Sequence, residues 1–219
     1  MSQMALPLDW TRTQGPTGGF LVSVCNAEAV RHLEHSATWP VRTTILVGPR
    51  LSGRSLLGRL FAEATGGAVI DTVHGERDDT LFHAWNRAQE TRLPLLMIAD
   101  TPPDRWAIAL PDLRSRMGAA PVVALGEPDD GLIAPLIDRM FLDRGTRIAD
   151  DLAAWLAPRI ERRYEAIHQI VTRLDEAALA GHKRITIPFA RQYFAERDAP
   201  GLPGIDAPDG SLGADEGDD

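Results

Sequence analysis

Thr43-Thr44-Ile45-Leu46-Val47-Gly48-Pro49-Arg50-Leu51-Ser52-Gly53-Arg54-Ser55-Leu56 is the stretch on which the fold turns. Thr43–Val47 is a short β-branched and apolar run, the pattern of a strand buried on both faces. After the loop, Leu56, Leu57, Leu60 and Phe61 recur at helical spacing over 55–64. The segment between them follows G-x-x-x-x-G-K-[ST], with Arg54 where lysine is usual. A loop of this kind needs glycines where amides fold around phosphate oxygens, and a cation that reaches the β- and γ-phosphates. It also needs a hydroxyl for magnesium and a helix N-terminus that faces the anion. Gly48, Pro49, Ser52, Gly53, Arg54, Ser55 and Leu56 are therefore the candidate phosphate contacts, with Ser55 also the candidate magnesium hydroxyl. An ordinary glycine-rich strand-to-helix turn would need neither the cation nor the hydroxyl.

Two positions depart from the pattern. Arginine keeps the charge of lysine but is planar and bulkier, so Arg54 cannot act as a compact ammonium would. Leu51 stands where such loops often carry glycine. ADP or ATP with Mg is the cofactor the loop calls for, bound weakly, biased towards ADP, or lost. Asp71 ends the next apolar run, Ala68-Val69-Ile70, where a carboxylate would hold magnesium through water. Thr72 follows it, and a threonine hydroxyl cannot serve as a general base at neutral pH. Read without a nucleotide, Asp71 is a cap at a strand end.

The same alternation runs outward from the loop. Residues 27–35 and 80–91 have helical spacing, while Leu93–Ala99 and Pro121–Leu125 read as further strands. The expected fold class is α/β, a parallel sheet with flanking helices. After Pro128 the strands stop and helical patterns occupy about 129–144, 149–157, 159–180 and 188–196, a small helical lid domain. In the third of these, Ile160, Tyr164, Ile167, Val171, Leu174 and Ala178 form one apolar stripe, and Pro188 suits a first helical turn. The divisions are 1–19 as arm and linker, 20–127 as the α/β domain, 128–197 as the helical domain and 198–219 as an acidic tail expected to be disordered.

Net charge is −8, and from Asp198 onward the chain carries seven acids and no Lys or Arg, so the body is close to neutral. A near-neutral body with an acidic tail does not fit the class that binds duplexes through phosphate neutralisation, and no direct sequence-specific DNA binding is expected, although the composition leaves room for a basic patch in the fold. A lone Cys25 forms no internal disulfide, no apolar run is long enough for a bilayer, and the start lacks a secretory pattern. The cytoplasm is the expected compartment, with no membrane partner. The six histidines show no metal-gathering spacing.

Several stretches together resemble the DnaA/Hda branch of AAA+ ATPases, most of all its alphaproteobacterial HdaA-like members. Phe20-Leu21-Val22-Ser23 with Asn26 is similar to the box that cradles adenine, which implies base contacts from Leu21 and Val22. Asp100 stands at the position of sensor 1. Leu110-Pro111-Asp112-Leu113-Arg114-Ser115-Arg116-Met117 is similar to the arginine-finger box, implying Arg116 as a finger acting in trans, with Arg114 meeting solvent or an acid. Ile160-Glu161-Arg162-Arg163 resembles the start of the sensor 2 helix, implying Arg162, and Lys183–Pro188 resembles the closing box. Beside that family the sheet looks abridged by a strand. Gln3-Met4-Ala5-Leu6-Pro7-Leu8 is similar to sliding-clamp peptides, with Gln3 at the pocket rim, Leu6 and Leu8 as anchors and Pro7 pre-setting the backbone.

The resemblance implies a negative regulator of replication initiation. It would be a clamp-bound adaptor with little hydrolysis of its own that stimulates ATP hydrolysis by the DnaA initiator. Clamp, initiator and further copies of the chain are its implied partners. An autonomous phosphate-loop ATPase or small-molecule kinase is the alternative, opposed by Thr72 and Arg54. A nucleotide-free scaffold is another. The arm generates its own expectation: Leu6→Ala with Leu8→Ala should abolish clamp binding in a titration and leave the thermal melt unchanged. Undiminished binding by the double variant would refute the assignment.

Overall fold

The computed structural model describes residues 19–73 and 76–195. Gln3, Leu6, Pro7 and Leu8 of the arm, and the whole acidic tail, lie outside the described residues.

Four parallel strands form one sheet: β1 (Thr43–Val47), β2 (Ala68–Ile70), β3 (Leu95–Ala99) and β4 (Val122–Ala124), in the order β2-β3-β1-β4. The β1–β3 register pairs Ile45 with Met97 and Leu46 with Ile98, so alternate residues feed opposite faces. Leu46, Leu96 and Ile98 pack under α1 (Ala27–Glu34) and α2 (Arg54–Thr65) through Leu33, Leu57 and Phe61. Ile45, Leu95 and Met97 pack on the other face with Leu81 and Ala88 of α3 (Asp78–Thr91) and Leu113 and Met117 of α4 (Pro111–Ala119). Apart from Ala88, each of these side chains contributes about 1.5–3 kcal/mol by leaving water. The α/β expectation and the four strands hold, and among the described residues no further strand joins the sheet.

One helix is missing from the sequence reading. Residues 111–119 form α4 although the pattern there is weakly amphipathic, with Leu113 and Met117 its buried residues. Pro111 in the first turn and burial of that i, i+4 pair are enough to hold a helix of this length.

The helical part comprises α5 (Asp130–Asp143), α6 (Leu152–Leu156), α7 (Tyr164–Gly181) and α8 (Ile187–Ala195) around a core of its own that includes Ile137, Phe141, Leu156, Ile167, Val171, Leu174 and Phe194. All six residues of the expected stripe are buried. The helix is nevertheless shorter than its stripe. Ile160 is extended at φ −103° and ψ 139°, beyond the 3₁₀ turn Ala157–Arg159, and Arg163 is extended as well. Apolar spacing reports which side is buried, and Ile160 reaches that core from outside α7. Arg162 accordingly precedes the helix that it was expected to open. Among the described residues no helix is long and apolar enough to cross a membrane.

The two parts meet at Asp129, the N-cap of α5. Its carboxylate accepts from the Leu132 amide at 3.1 Å, the Ser23 hydroxyl at 2.6 Å and the Cys25 amide at 2.9 Å. Tyr164 of α7 donates to the Gly126 carbonyl at 3.2 Å. These donors, led by the Ser23 hydroxyl, hold the Asp129 carboxyl below its ordinary pKa. A carboxylate with a depressed pKa stabilises the fold above the unfolded value, and that contribution is lost as pH falls through the folded one. Asp129→Ala should cost about 1–2 kcal/mol in urea unfolding at neutral pH, the range of a lost N-cap. Asp129→Asn should flatten the acid limb of the stability profile below about pH 4. An unchanged limb would show that the clamp contributes nothing.

Candidate functional site

The loop after β1 turns on two left-handed residues, Leu51 at φ 62° and Gly53 at φ 87°. Gly53 caps α2 without any side-chain bond to the first turn, leaving those amides facing out. Left-handed residues flanking Ser52 give the backbone pattern of an anion-binding nest at a helix N-terminus. Ser52 is 6% exposed and its hydroxyl has no partner, an unsatisfied donor at the place where a phosphate oxygen would sit. A Cβ on Gly48 would lie 2.9 Å from the Leu125 Cβ, so no larger residue fits between the ends of β1 and β4.

A cavity of about 450 Å³ opens from this loop between α2 and α5. Leu21, Ser52, Gly53 and Leu56, four of the candidate residues, line it, as does Leu51. Asn26 shapes one wall, donating to the Leu21 carbonyl and accepting from the Ser23 amide, both at 2.9 Å. The lid side comes from Leu132, Leu136, Arg139, Met140, Asp143 and Tyr164. None of these six was picked out in sequence as a site residue. Leu132, Leu136, Arg139, Met140 and Asp143 do share one helical face, which is the signal that could have found them. Arg139 pairs with Asp143 at 2.8 Å.

Other candidates lie elsewhere. Val22 is 39% exposed and does not line the cavity. Arg54 points to the end of β3, donating to the Ala99 carbonyl at 2.5 Å and to Asp100 at 2.7 Å. Two candidate residues, Arg54 and Asp100, are thus brought together and spend their charges on each other. Ser55 is exposed in the first turn of α2. Asp71 and Thr72 are exposed at the end of β2, which β3 separates from β1. Thr72 is left-handed at φ 62°, and Val73 rejoins β3 at the Ile98 carbonyl, so the pair bulges out of the strand. Arg162 makes a two-oxygen pair with Asp130 at 2.7 and 2.9 Å and is absent from the cavity wall.

Residues 135–194 match the family described as the Hda lid domain. The fold is similar to domain III of the replication initiation protein DnaA from Thermotoga maritima, at 13% identity, covering 81% of this chain and 94% of that one with a TM-score of 0.66. It is also similar to AMPPCP-bound DnaA from Aquifex aeolicus, at 14% identity, 87% and 71% coverage and a TM-score of 0.59. RuvB from Thermotoga maritima matches at 14% identity, 81% and 70% coverage and a TM-score of 0.56. The fold is that of a DnaA-type AAA+ module, closed by an Hda-type lid.

On this AAA+ module Arg116 belongs to α4, away from the cavity, and it is not a free side chain. Its guanidinium lies 4.5 Å from the Phe82 ring centre and 4.2 Å from that of Trp85. It donates to Asn86 at 2.5 Å and to Asp112 at 2.6 Å. Arg114 is exposed and donates to the Ile108 carbonyl.

The loop carries a prediction of its own. A left-handed L-residue costs about 1–2 kcal/mol, and Leu51 is largely exposed, so its side chain returns little. Leu51→Gly should raise stability by about 0.5–1 kcal/mol after the added unfolded-state freedom, whereas Leu51→Ala should not. Urea unfolding of the two variants checks this, and a destabilised glycine variant would overturn it.

Proposed function

We propose that this chain is an Hda-like regulator of a DnaA-type initiator: a sliding-clamp-bound AAA+ adaptor that stimulates ATP hydrolysis by the initiator. The observation that carries the reading is the Hda-type lid over a cavity entered from a phosphate-loop turn. The unpartnered Ser52 hydroxyl, the uncapped start of α2 and the left-handed Gly53 support adenine nucleotide binding there. The nucleotide carried by the Aquifex relative agrees with that use of the fold.

In this reading Leu21 and the lid face of α5 hold the base, and Ser52, Gly53 and the first amides of α2 hold the phosphates. Ser55 and Asp71 serve magnesium. Arg54 engages phosphate after releasing Asp100, which favours weak binding with ADP at least as tight as ATP. Thr72 offers no base, so the chain turns over little nucleotide alone. The arm of Gln3, Leu6, Pro7 and Leu8 places it on the clamp. Arg116 completes the initiator's site in trans, where fingers of this kind are worth roughly 10³–10⁵ in rate in well-measured GTPases.

A nucleotide-free scaffold is the second reading, favoured by the one observation that Arg54 is already paired with Asp100. Calorimetry with ADP and ATP separates the two. Binding of both, tighter for ADP and lost on Gly53→Val, is expected, whereas no binding at millimolar nucleotide would leave the scaffold. In a reconstituted assay with clamp-loaded DNA and ATP-bound initiator, Arg116→Ala should remove the stimulation while Arg114→Ala costs much less. Full stimulation by the Arg116 variant would refute the adaptor mechanism.

A further inference from the structure

The surroundings of Arg116 carry one more step, which rests on the adaptor reading. Phe82, Trp85 and Asn86 lie on one face of α3, at i, i+3 and i+4, and all three touch the guanidinium. None of the three carries charge. They fix the planar group by ring contact and one hydrogen bond and leave its positive charge unspent. Asp112, one turn before Arg116 on α4, is different, because its carboxylate neutralises that charge at 2.6 Å.

We propose that these groups divide into two opposed sets. Phe82, Trp85 and Asn86 are positioning residues that hold Arg116 ready for a nucleotide phosphate on a partner subunit. Asp112 is an electrostatic brake that the phosphate must displace. The asymmetry of exposure supports the division: the Arg116 side chain is 24% exposed and that of Asp112 is 61% exposed. A largely hydrated carboxylate forms a weak, salt-screened pair and leaves it cheaply. Asp112 also stands in the first turn of α4, where the helix N-terminus favours a negative charge, so it has a stable place once the pair is broken. Asn86 and Asp112 each occupy one of the five N–H donors of the guanidinium, and displacement of Asp112 releases its donor to a phosphate oxygen without loosening the aromatic platform.

The test is single-turnover phosphate release by ATP-bound initiator, titrated with the full-length chain on clamp-loaded DNA. Asp112→Asn should lower the half-saturating concentration by about two- to fivefold at low salt, the worth of an exposed ion pair, with the advantage fading as salt rises. Asn86→Ala should lower the maximal rate and leave half-saturation and the thermal melt in place. Trp85→Leu should do the same and Trp85→Phe should restore most of the rate, a rescue that packing alone would not require. Unchanged or weaker stimulation by the Asp112 variant would overturn the brake, and a full maximal rate in Asn86→Ala would overturn the positioning role. Arg116→Ala run alongside keeps the two levels apart, since undiminished stimulation there overturns the adaptor mechanism itself.

Discussion

Strand β1 has no free side. It is hydrogen-bonded to β3 and β4 along its edges and covered by α1 and α2 on one face and α3 and α4 on the other. With every lateral surface used, the C-terminal end is where the strand can present anything to a ligand. That end is also where successive connections leave for opposite sides of the sheet, β2 and β3 to one side and β4 to the other, the crevice that open parallel sheets use for binding. Gly48 is the consequence in sequence, since it lets the chain turn directly against Leu125 at the end of β4. The nest, the start of α2 and the cavity all take their position from that turn.

The cavity's second wall depends on one carboxylate. Asp129 caps α5 and holds both Ser23 and Cys25, so the segment that carries Leu21 and the helix that carries Leu136 are tied to each other before anything binds. Around it the chemistry is kept neutral. Burial pushes the Cys25 thiol up, and burial also raises Tyr164, so both remain protonated in this junction. The Asp129 carboxylate therefore joins the lid to the sheet part through donors from both.

The fold was legible because its signals were strong and local. The run Thr43–Val47 is β1 to the residue, and the glycines after Thr65 end α2 with Gly66 left-handed. Helix α4 was hidden because burying two residues produces almost no periodicity. The break before α7 was hidden because Ile160 joins the lid core in an extended conformation and so completes a helical stripe without being helical. Of the candidate site, the loop was legible as glycines and hydroxyls at fixed spacing. The lid wall was not, because Arg139 and Asp143 gain meaning from α5 facing α2 across the cavity, a long-range arrangement that no local pattern encodes. Nor does a pattern of residue types reveal that a cation is already paired.

That last point governs how the chemistry can run. The two arginines on which the reading depends, Arg54 and Arg116, are each held by a carboxylate of the same chain, Asp100 and Asp112. In both pairs the arginine is the more buried partner and the acid the more exposed one. An unpaired cation in those positions would pay desolvation with nothing in return, so an exposed acid that can swing back into water stabilises the resting state at little cost to the active one. The difference lies in the uncharged contacts. Arg54 also donates to the Ala99 main-chain carbonyl, which cannot move away without disturbing β3, whereas the other contacts of Arg116 are side chains, two rings and an amide. Arg54 is therefore anchored facing the sheet and Arg116 is anchored with an edge towards solvent. In the proposed adaptor, this asymmetry would suit a subunit that holds its own nucleotide loosely and acts on one held by its neighbour.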